Sequence, residues 1–199
     1  KNFGPLTKTR PLFELRNGIY SIRERYEKLL KGYEFHYFYR KNFDQVMNRL
    51  NVKKMSDLGE GAQFIAINAR IIPNGNFLKY FNILVDKKSK LAADDNGVLL
   101  TGIFTSKAEF VNCVKKGAKT SVKPMLEMIR YPWDVTNNLD ELLNYDAEII
   151  RKENKWMSPK ISNVIIENKD NVLISRSAVI RPGVILDASE GPVIIDDEA

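Results

Sequence analysis

Apolar positions change period several times along the chain, and each period predicts an element. Asn17-Gly18 is a turn dipeptide, and after it Ile19, Ile22, Tyr26, Leu29 and Leu30 share one stripe at helical spacing that ends before Gly32. Arg23, Arg25 and Lys28 are expected on the opposite, solvated face of this helix. The run EFHYFYR at 34–40 is aromatic and reads as a strand, and FDQVMNRL at 43–50 as a short helix. AQFIAINARII at 62–72 is a continuous apolar run between Gly61 and Pro73, which fits a central strand buried on both faces. LAADDNGVLLTGIF predicts a hairpin turning at Asp95-Asn96-Gly97, followed by a helix over 106–116. Such alternation predicts an α/β fold, with a doubly wound sheet covered on both sides. A further helix is expected after Asp134, with Leu139, Leu142, Leu143 and Ala147 at helical spacing and Asp134 as its cap.

From residue 172 the period becomes six. Ile174, Ile180 and Leu186 recur at that interval, Ala178 and Val184 follow the first two by four, and Ile195 with Ala199 resumes the spacing after the SEGP step. This resembles the hexapeptide repeat of left-handed parallel β-helices, in which each short strand places one aliphatic side chain inside a prism. An edge strand of the main sheet followed by a loop is the competing reading. The division expected is an α/β domain over 1–158, then a linker and the first turns of a β-helix over 159–199.

Composition sets limits on these readings. A chain of 199 residues with 44% hydrophobic content can bury one full-sized core, or one core and a small appendage. No stretch of 18 apolar residues occurs, and KNFGPLTKTR has no signal-peptide core, so a soluble, cytoplasmic protein is expected. The single cysteine, Cys113, forms no internal disulfide and reads as a small packing residue. His36, the lone histidine, has no nucleophile beside it and is not expected to be catalytic. Charge is uneven: residues 1–60 hold 13 Lys and Arg against 7 Asp and Glu, and the rest of the chain holds 18 of each. A local positive field favours anionic ligands. Nucleic acid is not expected among them, since no aromatic-plus-basic motif, zinc-finger spacing or long basic run is present.

Candidate chemistry concentrates at PLTKTRP, residues 5–11. Thr7, Lys8, Thr9 and Arg10 between two prolines make a stiff loop rich in donors, and arginine can grip a phosphate with two parallel bonds while lysine acts as a point charge. An ordinary exposed loop is the alternative. Pro5-Leu6-Thr7 and Thr9-Arg10-Pro11 resemble the phosphate-binding segment of sugar-1-phosphate nucleotidyltransferases, where a glycine-rich loop usually precedes the run. Leu12 stands where that family usually has a lysine, and Asn17-Gly18 matches the turn that opens its next helix. YPWDVTNNLDELL at 131–143 resembles a PWD-containing run late in the same domain.

The resemblance implies that a sugar-1-phosphate attacks a nucleoside triphosphate, giving a nucleotide sugar and pyrophosphate. Arg10 and Lys8 would act on the phosphates, with Thr7, Thr9 and Asn17 binding them and Asn68 and Arg70 contacting sugar or nucleotide. Mg2+ is the implied cofactor, yet Ile67, Asn68, Ala69 and Arg70 occupy the strand end where the family has a metal-binding aspartate. Glu127 and Asp134 are the remaining metal candidates. The resemblance extends to bifunctional enzymes that carry a β-helix after this domain, and it implies a homotrimer for the full-length protein. A catalytically degenerate domain, binding a nucleotide sugar or positioning a β-helix, is the second function class.

Overall fold

The computed structural model describes residues 3–4, 6–87, 91–93, 96–118, 126–153, 156–157 and 163–199. The chain separates into two compact units, one of residues 1–16 and 20–135, the other of residues 17–19 and 136–199. Among the described residues no helix is long and apolar enough to cross a membrane.

The first unit begins with a 3-10 turn at Leu12–Glu14 and helix α1, Ile22–Leu29. Ser21 accepts the Glu24 N–H at 3.2 Å while Glu24 accepts the Ser21 N–H at 2.7 Å, so a reciprocal capping box starts α1. Ile19 lies outside the helix, but Ile22, Tyr26 and Leu30 are buried as the stripe requires. Arg25 corrects the expectation of a solvated face: it is fully buried. Position 25 is three residues from Ile22 and next to Tyr26, so the stripe itself carries the guanidinium inward. Arg23 is half-buried between Glu14 and Glu27, the latter 2.9 Å away, and the Tyr37 hydroxyl donates to Glu27 at 2.8 Å. Burial opposes the charge on Arg23, but the two carboxylates outweigh it and hold its pKa above the ordinary value.

Burial likewise opposes the charge of Glu24, but the hydrogen bonds from Ser21 and the nearby Arg16 hold its pKa below the ordinary 4.5. A depressed carboxylate contributes stability that is complete above 4.5 and is lost as the pH falls through its lower folded value. Glu24→Gln, measured by urea unfolding, should therefore be less stable than the parent above pH 5 by roughly 0.5 kcal/mol, the scale of a partly exposed charge. That gap should close toward pH 2.

Residues 34–40 form no strand. Tyr37 makes one isolated bridge, donating to the Lys53 carbonyl at 2.9 Å and accepting the Met55 N–H at 2.9 Å. Their rings do other work: Tyr37 and Tyr39 pack on Phe13, and Phe38 meets Phe110 edge to face. A 3-10 turn at Lys41–Phe43 leads into α2, Asp44–Arg49, as the pattern predicts. Phe13, Phe43, Met47 and Val52 form a buried cluster here, with Ala69 packed against it.

The sheet of this unit departs from the expected doubly wound form. Strands β1 (Phe64–Ile67), β2 (Leu91–Ala93) and β3 (Leu99–Phe104) lie in the order β1-β3-β2, and both pairings are antiparallel. A short connection can join β2 to β3 only as a hairpin, which fixes that pairing. The hairpin was predicted, although Asp94 and Asp95 of its turn lie outside the described residues. β3, not β1, is central, and its residues are almost all buried while those of β1 are half-buried. β1 and β2 run the same way on either side of β3, connected through helix α3, Gly75–Lys87. The sequence reading places no helix there. Asn74 caps α3 by accepting the Phe77 N–H at 3.0 Å, and Phe77, Phe81 and Leu84 are buried.

Helix α4, Lys107–Lys116, is capped by Ser106, and Phe110 packs into a cluster with Phe104, Leu99 and Ala93. Cys113 packs against the same cluster, and burial with nearby Glu109 pushes its thiol pKa up, consistent with a packing residue.

Helix α5, Asp134–Asn137, spans the division between the units. The second unit contains α6 (Leu139–Arg151) and strands β4 (Trp156–Met157), β5 (Ile165–Glu167), β6 (Val172–Ser175), β7 (Ile185–Asp187) and β8 (Val193–Ile195). Asp146 lies on the buried stripe of α6 with Leu142, Ala147 and Ile150, and it accepts the Ile19 N–H at 2.9 Å. β5 pairs parallel with β7 and β6 parallel with β8, while β4 adds to β6 antiparallel. These strands form sheets of their own, separate from β1-β3-β2, so the edge-strand reading does not hold. Ile174 and Leu186 are buried in one cluster, with Ala178, Ile180, Val184 and Ile195 packed against it, as the six-residue period predicts. Ala199 is the exception and is exposed, its carbonyl accepting the Val179 N–H at 3.0 Å.

Candidate functional site

The loop at 7–10 is held at both ends and exposed between them. Thr7 closes a turn twice, its N–H and its hydroxyl donating to the Phe3 carbonyl at 2.9 and 2.8 Å. The hydroxyl proton is thus spent on the backbone, leaving Thr7 to hold the loop. Lys8, Thr9 and Arg10 are exposed, and no side chain among the described residues pairs with either cation. Pro11 is buried, which anchors the far end.

A second group forms where β1 ends. Asn68 donates its carboxamide N–H to the Leu99 carbonyl at 2.8 Å and accepts the Arg70 N–H at 3.1 Å. Both ends of this side chain therefore stop the strand and shape the turn into Arg70. The chain then pairs with residues 127–129: Ile72 donates to the Glu127 carbonyl at 2.9 Å and Ile129 to the Arg70 carbonyl at 2.7 Å. Asn76, near the start of α3, donates to the Glu127 carboxylate at 3.2 Å. Arg70 itself is half-buried, and its guanidinium has no ion-pair partner among the described residues.

Asp134 does not cap the helix that follows it. Its carboxylate reaches back to accept the Arg130 and Tyr131 N–H groups at 2.7 and 2.8 Å, because the turn before α5 leaves those donors without ladder partners. That turn sets Tyr131 and Trp133 side by side, with ring centroids 4.8 Å apart and planes only 7° from parallel.

The structure thus draws Asn68, Arg70, Glu127 and Asp134 into one neighbourhood. Ala69 packs on the cluster containing Phe13, three residues beyond Arg10 in sequence. Asn17 is different: it is buried and belongs to the second unit. Sequence reasoning missed Asn74, Asn76 and the Tyr131–Trp133 pair, although the NGN run before an i, i+3, i+4 aromatic pattern was a visible signal for the first two.

No cluster of side chains that would hold Mg2+ is found among the described residues. No three His, Cys, Asp or Glu side chains gather among them. Asp134 receives both backbone N–H groups on Oδ2 and Glu127 the Asn76 carboxamide on Oε1, so each carboxylate keeps a second oxygen, while Ala69 offers none from its side chain.

No curated protein and no solved structure is significantly similar to the chain. A family model described as sugar nucleotidyl transferase matches residues 1–155, which include the 7–10 loop, the end of β1 and the turn at 130–134, and the chain belongs to that family.

Proposed function

We propose that the family-matched region binds a nucleoside triphosphate and a sugar-1-phosphate and joins them into a nucleotide sugar. An oxygen of the sugar phosphate forms a bond to the α-phosphorus, the bond to the β-phosphate oxygen breaks, and pyrophosphate leaves with the electron pair. No covalent intermediate is needed, so positioning and charge neutralisation supply the rate enhancement. The observation that carries this reading is the pair of exposed cations, Lys8 and Arg10, on a loop fixed by the Thr7 hydroxyl and by buried Pro11. Lys8 and Arg10 neutralise the triphosphate, the Thr9 hydroxyl donates to it, and Arg70 meets the sugar, carried on the turn that the Asn68 carboxamide shapes. Asn17 is buried and is assigned no phosphate contact in this reading.

Sugar nucleotidyl transferases typically work with Mg2+, and this chain's described residues supply no cluster for it. That observation favours a second reading, in which the domain binds a nucleotide sugar without turnover and positions the region that follows. Parallel pairing of β5 with β7 and β6 with β8, around Ile174 and Leu186, supports a left-handed β-helix beginning there. The family match ends at residue 155, near the proposed division at 158, although the compact units divide at residues 135–136; a homotrimer follows for the full-length protein if its repeats pack side by side.

Thermal melting tests the binding claim. A triphosphate at a hundredfold excess over its Kd should add about 2.7 kcal/mol of stability. Arg10→Ala, losing charge-assisted hydrogen bonds, should weaken binding roughly ten- to hundredfold and shrink that shift. An identical shift in parent and variant would remove the loop from the site.

A further inference from the structure

We propose that Tyr131 and Trp133 form a stacking platform for the nucleobase of the bound nucleotide. The inference rests on the nucleotide-binding reading above and assigns that ligand's base to residues outside the phosphate loop.

Most aromatic side chains of this unit are consumed by its core. Tyr26 meets Phe77, and Phe104 meets Phe110, near perpendicular and buried, the arrangement that ring quadrupoles favour between packed neighbours. Tyr131 and Trp133 differ on both counts. Their planes are 7° apart at 4.8 Å, and they remain 45% and 59% exposed. Two large rings held parallel at the surface bury little area for the fold. Their geometry matches what a third flat ring requires, since a base presents a π-face whatever its identity.

The pair is also held still before any ligand arrives. Pro132 separates the two residues in sequence, and the Asp134 carboxylate grips the Arg130 and Tyr131 N–H groups. The Asp134 N–H in turn donates to the Tyr131 carbonyl at 3.1 Å. A fixed ring pair loses little conformational freedom on binding. One residue before this turn, Ile129 is hydrogen-bonded to the Arg70 carbonyl, which places the platform beside the carboxyl end of β1. A planar base extends the parallel stack with its whole π-face, whereas a pyranose meets a ring only through the C–H bonds of one face.

The test uses the chain with Trp156→Phe, leaving Trp133 as the single tryptophan reporter of the two in the sequence. Free nucleosides, nucleoside triphosphates, glucose-1-phosphate and inorganic phosphate are titrated in turn. Quenching of Trp133 emission by nucleosides and triphosphates, and by neither of the other two, is expected. Trp133→Ala should weaken triphosphate binding about five- to hundredfold by calorimetry, the span of base–aromatic stacking, while Trp133→Phe keeps most of the affinity and guards against a folding defect. Quenching by glucose-1-phosphate but not by nucleosides, or unchanged affinity in Trp133→Ala, would overturn the proposal. Arg10→Ala separates the two claims. It should lower triphosphate affinity and leave nucleoside quenching intact; if it alters neither while Trp133→Ala weakens binding, the loop reading fails and the platform stands.

Discussion

Replacing Arg25 by alanine should destabilise the protein by about 3 to 5 kcal/mol, the largest effect expected of any single change to α1. Arg25 is fully buried although it carries a charge. A guanidinium survives burial only when its donors are satisfied, so truncation removes those bonds, leaves the groups that met them without a cation, and opens a cavity the length of the side chain. For a chain of this length the loss corresponds to a fall in Tm of roughly 10 °C. Arg25→Lys keeps the charge and most of the stem but loses the planar fork, so it should cost less than alanine. Urea unfolding of the two variants checks the order. A cost below about 0.5 kcal/mol for Arg25→Ala is what a surface residue shows and would contradict burial.

Asp146→Ala should cost about 2 to 4 kcal/mol in the second unit. The Asp146 side chain is fully buried on α6 and accepts the Ile19 N–H, a partner far away in sequence. Alanine leaves that N–H without its acceptor. Asp146→Asn retains an oxygen at the same place and should recover about half of the loss. Amide hydrogen exchange gives the sharper reading: the Ile19 amide should exchange much faster in the alanine variant and only modestly faster in the asparagine one. Equal protection in both would show that the carboxylate does not hold residues 17–19.

Arg25 and Asp146 also show where sequence reasoning stops. Each sits on the apolar stripe of its own helix, Arg25 three residues after Ile22 and Asp146 four after Leu142. A charge at such a position was visible as an exception, but the reading of α1 sent its charges outward by type and not by angle. Period found α1, α4, α6, the β2–β3 hairpin and the inward residues from 174 to 195, because those elements bury one face and leave the other wet. It failed at 34–40, where aromatic residues with β propensity pack on Phe13 and Phe110 instead of pairing, since that propensity measures packing more than backbone preference. It also passed over α3, whose Phe77, Phe81 and Leu84 stripe follows directly on an apolar run and Pro73 that interrupt the helical period.

The candidate site was legible in composition and illegible in detail. Basic and hydroxyl residues at 7–10 marked a candidate anion site. What could not be read was that the Thr7 hydroxyl and both ends of the Asn68 carboxamide are taken by backbone groups, because those partners, Phe3, Leu99 and the Arg70 N–H, are set by the fold. The Asp134 carboxylate has the same history, engaged by the turn that precedes it.

Phosphorus NMR on the full chain, mixed with the common nucleoside triphosphates, a panel of sugar-1-phosphates and Mg2+, tests the nucleotidyl transfer reading most directly. The account predicts that nucleotide-sugar diphosphate resonances and pyrophosphate appear together, in equal amounts, and that Arg10→Ala slows their formation at least tenfold. A spectrum in which no triphosphate is consumed, with binding still detectable by melting, would contradict nucleotidyl transfer by this chain.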